Sequence, residues 1–118
     1  MKEKTIITVG SSVVDIFIKS SEFRLKPSTD GVLLCQTYGD KVEVDSFQVL
    51  TGGGGSNTAV GFSRLGFNVE LVSETGKDTL AELIVNDLKK ENIDLDYLVQ
   101  EKKEQTGGSV ILLGPDGG

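Results

Sequence analysis

Hydrophobic and polar residues follow one another in short runs along this chain, and the runs predict strands separated by two helices. The predicted strands cover residues 5–9, 13–18, 68–73 and 108–113. Apolar residues at helical spacing predict helices at 57–65 and 79–91, the second capped by Asp78 or Thr79. Gly66 is predicted to end the first helix and Asn92 the second. Because strands and helices alternate, we expect an α/β fold with a mostly parallel main sheet.

A second pattern lies between residues 19 and 50. Residues 19–31 are rich in turn-forming side chains and predict a loop. Residues 32–38 and 41–50 then flank Gly39-Asp40, which predicts a β-hairpin with a type II′ turn. Alternating valines and charged residues in the second arm indicate that one face of this hairpin is wet. An ordinary edge hairpin satisfies this pattern, and nothing local excludes it.

Four consecutive glycines at 52–55 precede the first predicted helix. Ordering them costs on the order of 2–4 kcal/mol, so the run requires either positive φ angles or the close approach of another group. Ser56 and Asn57 are suitable N-cap residues, and a helix starting there would present unpaired N–H groups to a ligand. The alternative is a flexible linker.

Composition narrows the possible functions. The chain has 118 residues and a formal charge of −6 without a basic cluster, which argues against nucleic acid or an anionic membrane as a partner. Cys35 is the only cysteine and there is no histidine, which excludes an internal disulfide, a Ser-His-Asp triad and a histidine metal site. Neither a long apolar run nor a signal-peptide pattern occurs, so we expect a single cytoplasmic domain.

The common phosphate-binding motifs do not fit the glycine run. A dinucleotide fingerprint would need Gly or Ala at Asn57 or Thr58, and the Gly76-Lys77 pair is followed by Asp78 rather than by Ser or Thr. Asp15 is the other unusual residue, because a charge inside an apolar strand is costly unless it faces solvent or has partners. Both explanations of Asp15 remain open at this point.

The stretch from Gly52 to Gly66, with Gly76 at the matching distance, resembles the first signature of the ribokinase-like (PfkB-type) carbohydrate kinases. Four further segments resemble that family in the same order. They are Thr8–Asp15 (opening strand and substrate aspartate), Glu74–Asp78 (Thr-Gly-x-Asp turn), Glu91–Asp94 and Gln105–Ile111. The resemblance implies a ribokinase-like fold with a β-hairpin lid formed by residues 16–50, which in many members is also the dimer contact.

Members of that family transfer the γ-phosphoryl group of ATP, with Mg²⁺, to a hydroxymethyl group of a sugar or nucleoside. The resemblance implies that Asp15 holds substrate hydroxyls and that Asn57 hydrogen-bonds the substrate from the start of the helix. It also implies that Gly53 and Gly54 let the backbone approach the substrate. Val13 stands where ribokinase itself often has a polar residue and where nucleoside-type relatives often have an apolar one, which argues against ribose as the substrate and leaves the sugar or nucleoside open.

The family's second signature, a late Gly-Ala-Gly-Asp segment with the catalytic base and nucleotide pocket, does not occur within residues 1–118. We therefore expect the N-terminal part of a truncated ribokinase-like domain, without catalytic or metal-binding residues. ATP and Mg²⁺ would belong to the full-length parent, with none bound to this part. A non-catalytic sugar-binding or dimerisation module is the alternative. In either case we expect homo-oligomers through the lid or through a sheet face left without helices.

Overall fold

A computed structural model describes residues 4–118, which form two compact units. The first comprises residues 4–15 and Thr51–Ser109, and the second comprises Ile16–Leu50 and Val110–Gly118. The strands are β1 (Thr5–Val9), β2 (Val13–Lys19), β3 (Arg24–Ser28), β4 (Gly31–Cys35), β5 (Ser46–Gly52), β6 (Asn68–Gly76), β7 (Leu98–Glu101) and β8 (Gly108–Leu113). The helices are α1 (Gly54–Arg64) and α2 (Thr79–Lys90). None of the helices in this described part is long and apolar enough to cross a membrane.

The first unit contains a parallel sheet with the strand order β1-β6-β7. β1 pairs with β6 in parallel from Thr5 opposite Asn68 to Val9 opposite Val72, and β7 pairs in parallel with the end of β6. A second three-stranded sheet has the order β5-β2-β8, and each of its strands has residues in both units. This architecture confirms the predicted α/β class with a parallel main sheet.

The two faces of the β1-β6-β7 sheet differ in burial. Helix α1 packs against β1 and β6. The buried apolar side chains of this unit are Val14, Ala59, Val69, Leu71, Ala81, Ile84, Leu88 and Ile93. Ile7 and Val9 point the other way and are 59% and 75% exposed, together with Val72 and Val99 on neighbouring strands. Since side chains alternate between faces along a strand, one face of this sheet is packed and the other carries exposed apolar residues.

Both helices end in the manner that the sequence predicts. Gly66 has φ +92° and follows α1, and Asn92 has φ +57° and follows α2. In each case the next residue, Phe67 or Ile93, donates its N–H back to the last turn, which is the Schellman arrangement. The predicted cap of α2 is also confirmed, because the Asp78 side chain accepts the Ala81 N–H.

The hairpin prediction is wrong in its position. β3 pairs with β4 through a two-residue turn, whereas residues 36–45 contain no strand. Ser28 Oγ accepts the Asp30 N–H in that turn. At the predicted turn, Asp40 donates to the Thr37 carbonyl and Gly39 has φ +82°, so the glycine is third in its turn rather than second. A glycine there gives a type II turn, which does not match the twist of a hairpin.

Several strands depart from the predicted bounds. β3 (Arg24–Ser28) lies inside residues 19–31, which are predicted as a loop, because it pairs with β4. β5 starts at Ser46 and continues to Gly52, so it includes the first glycine of the run. β7 falls in a segment where the sequence predicts no strand, and it has only four residues. It forms by pairing with Ser73–Gly76, far away in sequence, and a local pattern does not contain that contact.

Candidate functional site

The glycine run joins strand β5 to helix α1 in the first unit. Gly52 is the last residue of β5, Gly53 is the N-cap with φ +98°, and the helix begins at Gly54. The predicted helix start at Ser56 or Asn57 is therefore wrong, since both residues lie inside the helix. The linker alternative is wrong as well, because every glycine of the run belongs to a strand end, a cap or a first helical turn.

The N-terminus of α1 is capped by a residue distant in sequence. The Gly54 N–H donates to Ser11 Oγ at 3.2 Å, and the Gly55 and Ser56 N–H groups donate to the Ser11 carbonyl at 3.0 and 3.2 Å. Gly53 itself supplies no side-chain cap. The expectation that this helix start presents unpaired N–H groups to a ligand is therefore wrong, because Ser11 already accepts them. Ser11 is not among the residues predicted from the sequence, because no local pattern links it to the helix.

The close packing explains two of the glycines directly. A Cβ added at Gly53 would lie 2.4 Å from the Ser11 carbonyl oxygen, and one added at Gly55 would lie 2.6 Å from the Gly10 carbonyl oxygen. Gly54 differs, because a Cβ there would meet nothing within 4 Å. Gly53 and Gly55 are thus required by the contact between the helix start and the loop after β1, whereas Gly54 borders open space.

Asp15 and Asn57 converge on the end of strand β5. A Cβ placed at Gly52 would lie 3.1 Å from Asp15 Oδ2 and 3.9 and 4.0 Å from Asn57 Oδ1 and Nδ2. Asp15 is half-buried and Asn57 is exposed, and neither side chain has a hydrogen-bond partner among residues 4–118. Two polar side chains with free hydrogen-bonding capacity therefore face the same small space beside Gly52.

Two features of residues 4–118 bear on the binding of charged ligands. No group of three or more Cys, Asp or Glu side chains within residues 4–118 is arranged to hold a metal ion. The helix N-terminus, the usual place for a phosphate next to a glycine run, is occupied by Ser11. The Asp15 carboxylate can accept hydrogen bonds from a polar ligand, and the Asn57 amide can both accept and donate them.

Several known proteins resemble this chain in sequence and in fold. Ribokinase from Bacillus subtilis is 30% identical over 110 residues, which cover 93% of this chain and 33% of that protein. Ribokinase from Arabidopsis thaliana, solved in complex with ribose and ATP, superimposes with a TM-score of 0.79 at 28% identity, over 100% of this chain and 34% of that one. The nucleoside kinase of Methanocaldococcus jannaschii, an archaeal member of the ribokinase family, gives 0.75 at 26% identity, over 99% and 35%.

The chain thus spans about a third of the length of these relatives. The sequence profile of the pfkB family carbohydrate kinases matches residues 3–118, which is nearly the whole chain. The sequence resemblance and the α/β fold are both confirmed by these matches. This chain belongs to the pfkB family of carbohydrate kinases.

Proposed function

We propose that this chain is the substrate-binding N-terminal part of an ATP-dependent kinase that phosphorylates a hydroxymethyl group of a sugar or nucleoside. The observation that carries the proposal is the convergence of Asp15 and Asn57 beside Gly52, with both side chains unpartnered among the described residues. The ribose complex of the Arabidopsis ribokinase and the archaeal nucleoside kinase support both substrate classes.

The chemistry of the two side chains suits a polyol. An ionised carboxylate such as that of Asp15 is an acceptor-only group and can take hydrogen bonds from two adjacent hydroxyls. The Asn57 amide offers a donor and an acceptor together, so it can bond to a hydroxyl in either role. Exposed Gly54 leaves room for a ligand to approach the backbone. These groups would bind and orient the substrate, and positioning is most of what a protein contributes to phosphoryl transfer.

The nucleotide would be held by the rest of the parent kinase. ATP, with Mg²⁺, supplies the phosphoryl group in this proposal, and no residue of this chain is assigned to either. We propose that residues 16–50 form the lid over the sugar.

The exposed apolar sheet face favours a second function, a dimerisation module, because monomers seldom expose contiguous apolar surface.

Substrate binding can be tested on the 118-residue chain by recording ¹H–¹⁵N spectra during titration with D-ribose and with adenosine. We expect the signals of Gly52, Gly53, Gly54 and Asn57 to shift with at least one of the two ligands, and those shifts to disappear in Asp15→Ala. If either ligand shifted these signals in Asp15→Ala as much as in the unsubstituted chain, the assignment of the site would be contradicted.

Catalysis needs a separate assay. We expect the purified chain to transfer no phosphoryl group from ATP to D-ribose or adenosine. We expect a longer protein, whose reading frame continues into a Gly-Ala-Gly-Asp segment, to catalyse this transfer. Phosphorylation by residues 1–118 alone would contradict the proposed division of the two sites. A reading frame that stops at Gly118 would instead favour the binding or dimerisation module.

A further inference from the structure

A chain of three buried serine hydroxyls links the loop after β1 to helix α1 and strand β6. Ser56 Oγ donates to Ser12 Oγ at 2.7 Å, Ser12 Oγ and Ser73 Oγ are 2.8 Å apart, and Ser73 Oγ donates to the Gly10 carbonyl at 2.6 Å. The three residues are 3–9% exposed. Buried hydroxyls are costly unless they are paired, so this arrangement is strongly specified.

The direction of the chain follows from counting protons. Each serine hydroxyl has one hydrogen to donate. Ser73 uses its hydrogen on Gly10, so Ser12 must be the donor to Ser73 and the acceptor from Ser56. The hydrogen bonds therefore run from helix α1 to the loop, from the loop to β6, and from β6 back to the Gly10 carbonyl, and Ser12 is the central member that both accepts and donates.

The same loop also holds the backbone of the helix start. Ser11 accepts the N–H groups of Gly54, Gly55 and Ser56, so consecutive residues Ser11 and Ser12 bind the first turn of α1 through main chain and side chain together. Directly beyond this loop, strand β2 carries Asp15, and directly beyond Ser56 the helix carries Asn57. The two serines thus join the segment that leads into Asp15 to the helical turn that leads into Asn57.

We propose that Ser11 and Ser12 are positioning residues that fix Asn57 relative to Asp15 and so set the geometry of the substrate site. The proposal rests on the function proposed above for Asp15 and Asn57. The two serines act through the helix and do not touch the ligand. The helix has no side-chain cap of its own, so its start is fixed in place by this loop.

Two variants distinguish a positioning role of the serines from a purely structural role. Ser12→Ala leaves the buried Ser56 hydroxyl without its acceptor, which lowers thermal stability. The double variant Ser12→Ala/Ser56→Ala has no such orphaned donor, so most of the stability should return. If the hydroxyl chain positions the helix start, the double variant regains stability without regaining the geometry of Asn57.

Two quantities are measured on the whole 118-residue chain: the Asn57 side-chain amide signal in ¹H–¹⁵N spectra, and the melting temperature. We expect this signal to shift or broaden in both variants, and affinity for D-ribose or adenosine to fall at least about fivefold, because small misplacements of a binding group are costly. Ser63→Ala is the matched control. It removes the hydroxyl that donates to the Glu91 carbonyl at the other end of α1, and should lower stability while leaving the Asn57 signal unchanged.

An Asn57 signal identical to that of the unsubstituted chain in the double variant would overturn the proposal. The double variant keeps the test decisive even where Ser12→Ala alone fails to fold. A chain that binds neither ligand, but whose Asn57 signal responds as described, would contradict the proposed function and leave the positioning role supported.

Discussion

The Asp78 carboxylate holds Thr106 through both of its oxygens. Oδ1 accepts the Thr106 hydroxyl at 2.7 Å and Oδ2 accepts the Thr106 N–H at 2.9 Å, while Oδ1 also caps helix α2 through the Ala81 N–H. The Thr106 hydroxyl in turn accepts the Gly76 N–H at 3.1 Å. One side chain thus joins the end of β6, the start of α2 and the segment before β8.

This arrangement makes folding stability depend on pH. The hydrogen bond from the Thr106 N–H, followed by those from the Thr106 hydroxyl and the Ala81 N–H, lowers the pKa of Asp78 below its ordinary value of 3.8. As the pH falls, Asp78 is therefore protonated in the unfolded chain before it is protonated in the folded chain. Its contribution to stability is complete above pH 3.8 and is lost as the pH falls through the pKa of Asp78 in the folded chain.

We expect Asp78→Asn to be less stable than the unsubstituted chain near neutral pH. The difference between their free energies of unfolding should shrink when the pH falls below 3.8, the ordinary pKa of Asp78. Urea unfolding at a series of pH values measures it. Asp96→Asn, which removes an exposed carboxylate, is the control. A difference that stays constant across the acid range would show that the charge of Asp78 does not contribute.

The glycine run should respond unequally to alanine. We expect Gly53→Ala to destabilise the chain by at least about 2 kcal/mol, because it combines a positive φ with a Cβ only 2.4 Å from the Ser11 oxygen. Gly55→Ala should be comparably damaging because of its contact with Gly10. Gly54→Ala is the matched control, since its Cβ enters open space and alanine favours the helix by about 0.5–1 kcal/mol.

Thermal unfolding of the three variants distinguishes them. Equal losses of stability at Gly53, Gly54 and Gly55 would contradict the packing described here. A stable Gly54→Ala with weakened binding of D-ribose or adenosine would support the role of Gly54 as a point of close substrate approach.

Loss of either proposed substrate contact should reduce catalysis in the full-length kinase. We expect Asp15→Ala and Asn57→Ala each to lower kcat/KM at least about tenfold, because a hydrogen bond to a charged group contributes about 1.5–3 kcal/mol and 1.4 kcal/mol is a factor of ten. Steady-state kinetics with Asp96→Ala as the control carboxylate test this. Unchanged kcat/KM in a folded Asp15→Ala would mean that Asp15 is only a solvent-facing strand residue.

The exposed sheet face should make the 118-residue chain self-associate. Ile7 and Val9 are 59% and 75% exposed, with Val72 beside them, and such adjacent apolar side chains favour burial against another surface. We expect Ile7→Thr/Val9→Thr to weaken association in sedimentation equilibrium, since threonine keeps the β-branched shape and adds a polar group. Val32→Thr on hairpin strand β4 tests the lid surface in parallel.

The outcome separates the two proposed surfaces. A larger effect of Val32→Thr would place the contact on the hairpin. A monomer at the 12.6 kDa chain mass in the unsubstituted protein would contradict self-association altogether.

Local chemistry was enough to predict several elements. Asp78 caps α2 through a side-chain hydrogen bond, and the helices end at Gly66 and Asn92 because these residue types readily adopt a positive φ. Both properties belong to single residues, so they can be predicted from the sequence. The strand at 108–113 follows from a continuous apolar run in the same way.

The α/β class, the family resemblance and the unusual position of Asp15 can be read from local patterns and motifs along the chain. The tertiary structure fixes where α1 begins, because Ser11 lies more than forty residues away from the glycines it caps. It also decided the hairpin position and strand β7, which depend on turn geometry and on pairing with β6. These features are contacts between distant segments, and their free energy is not contained in either segment alone.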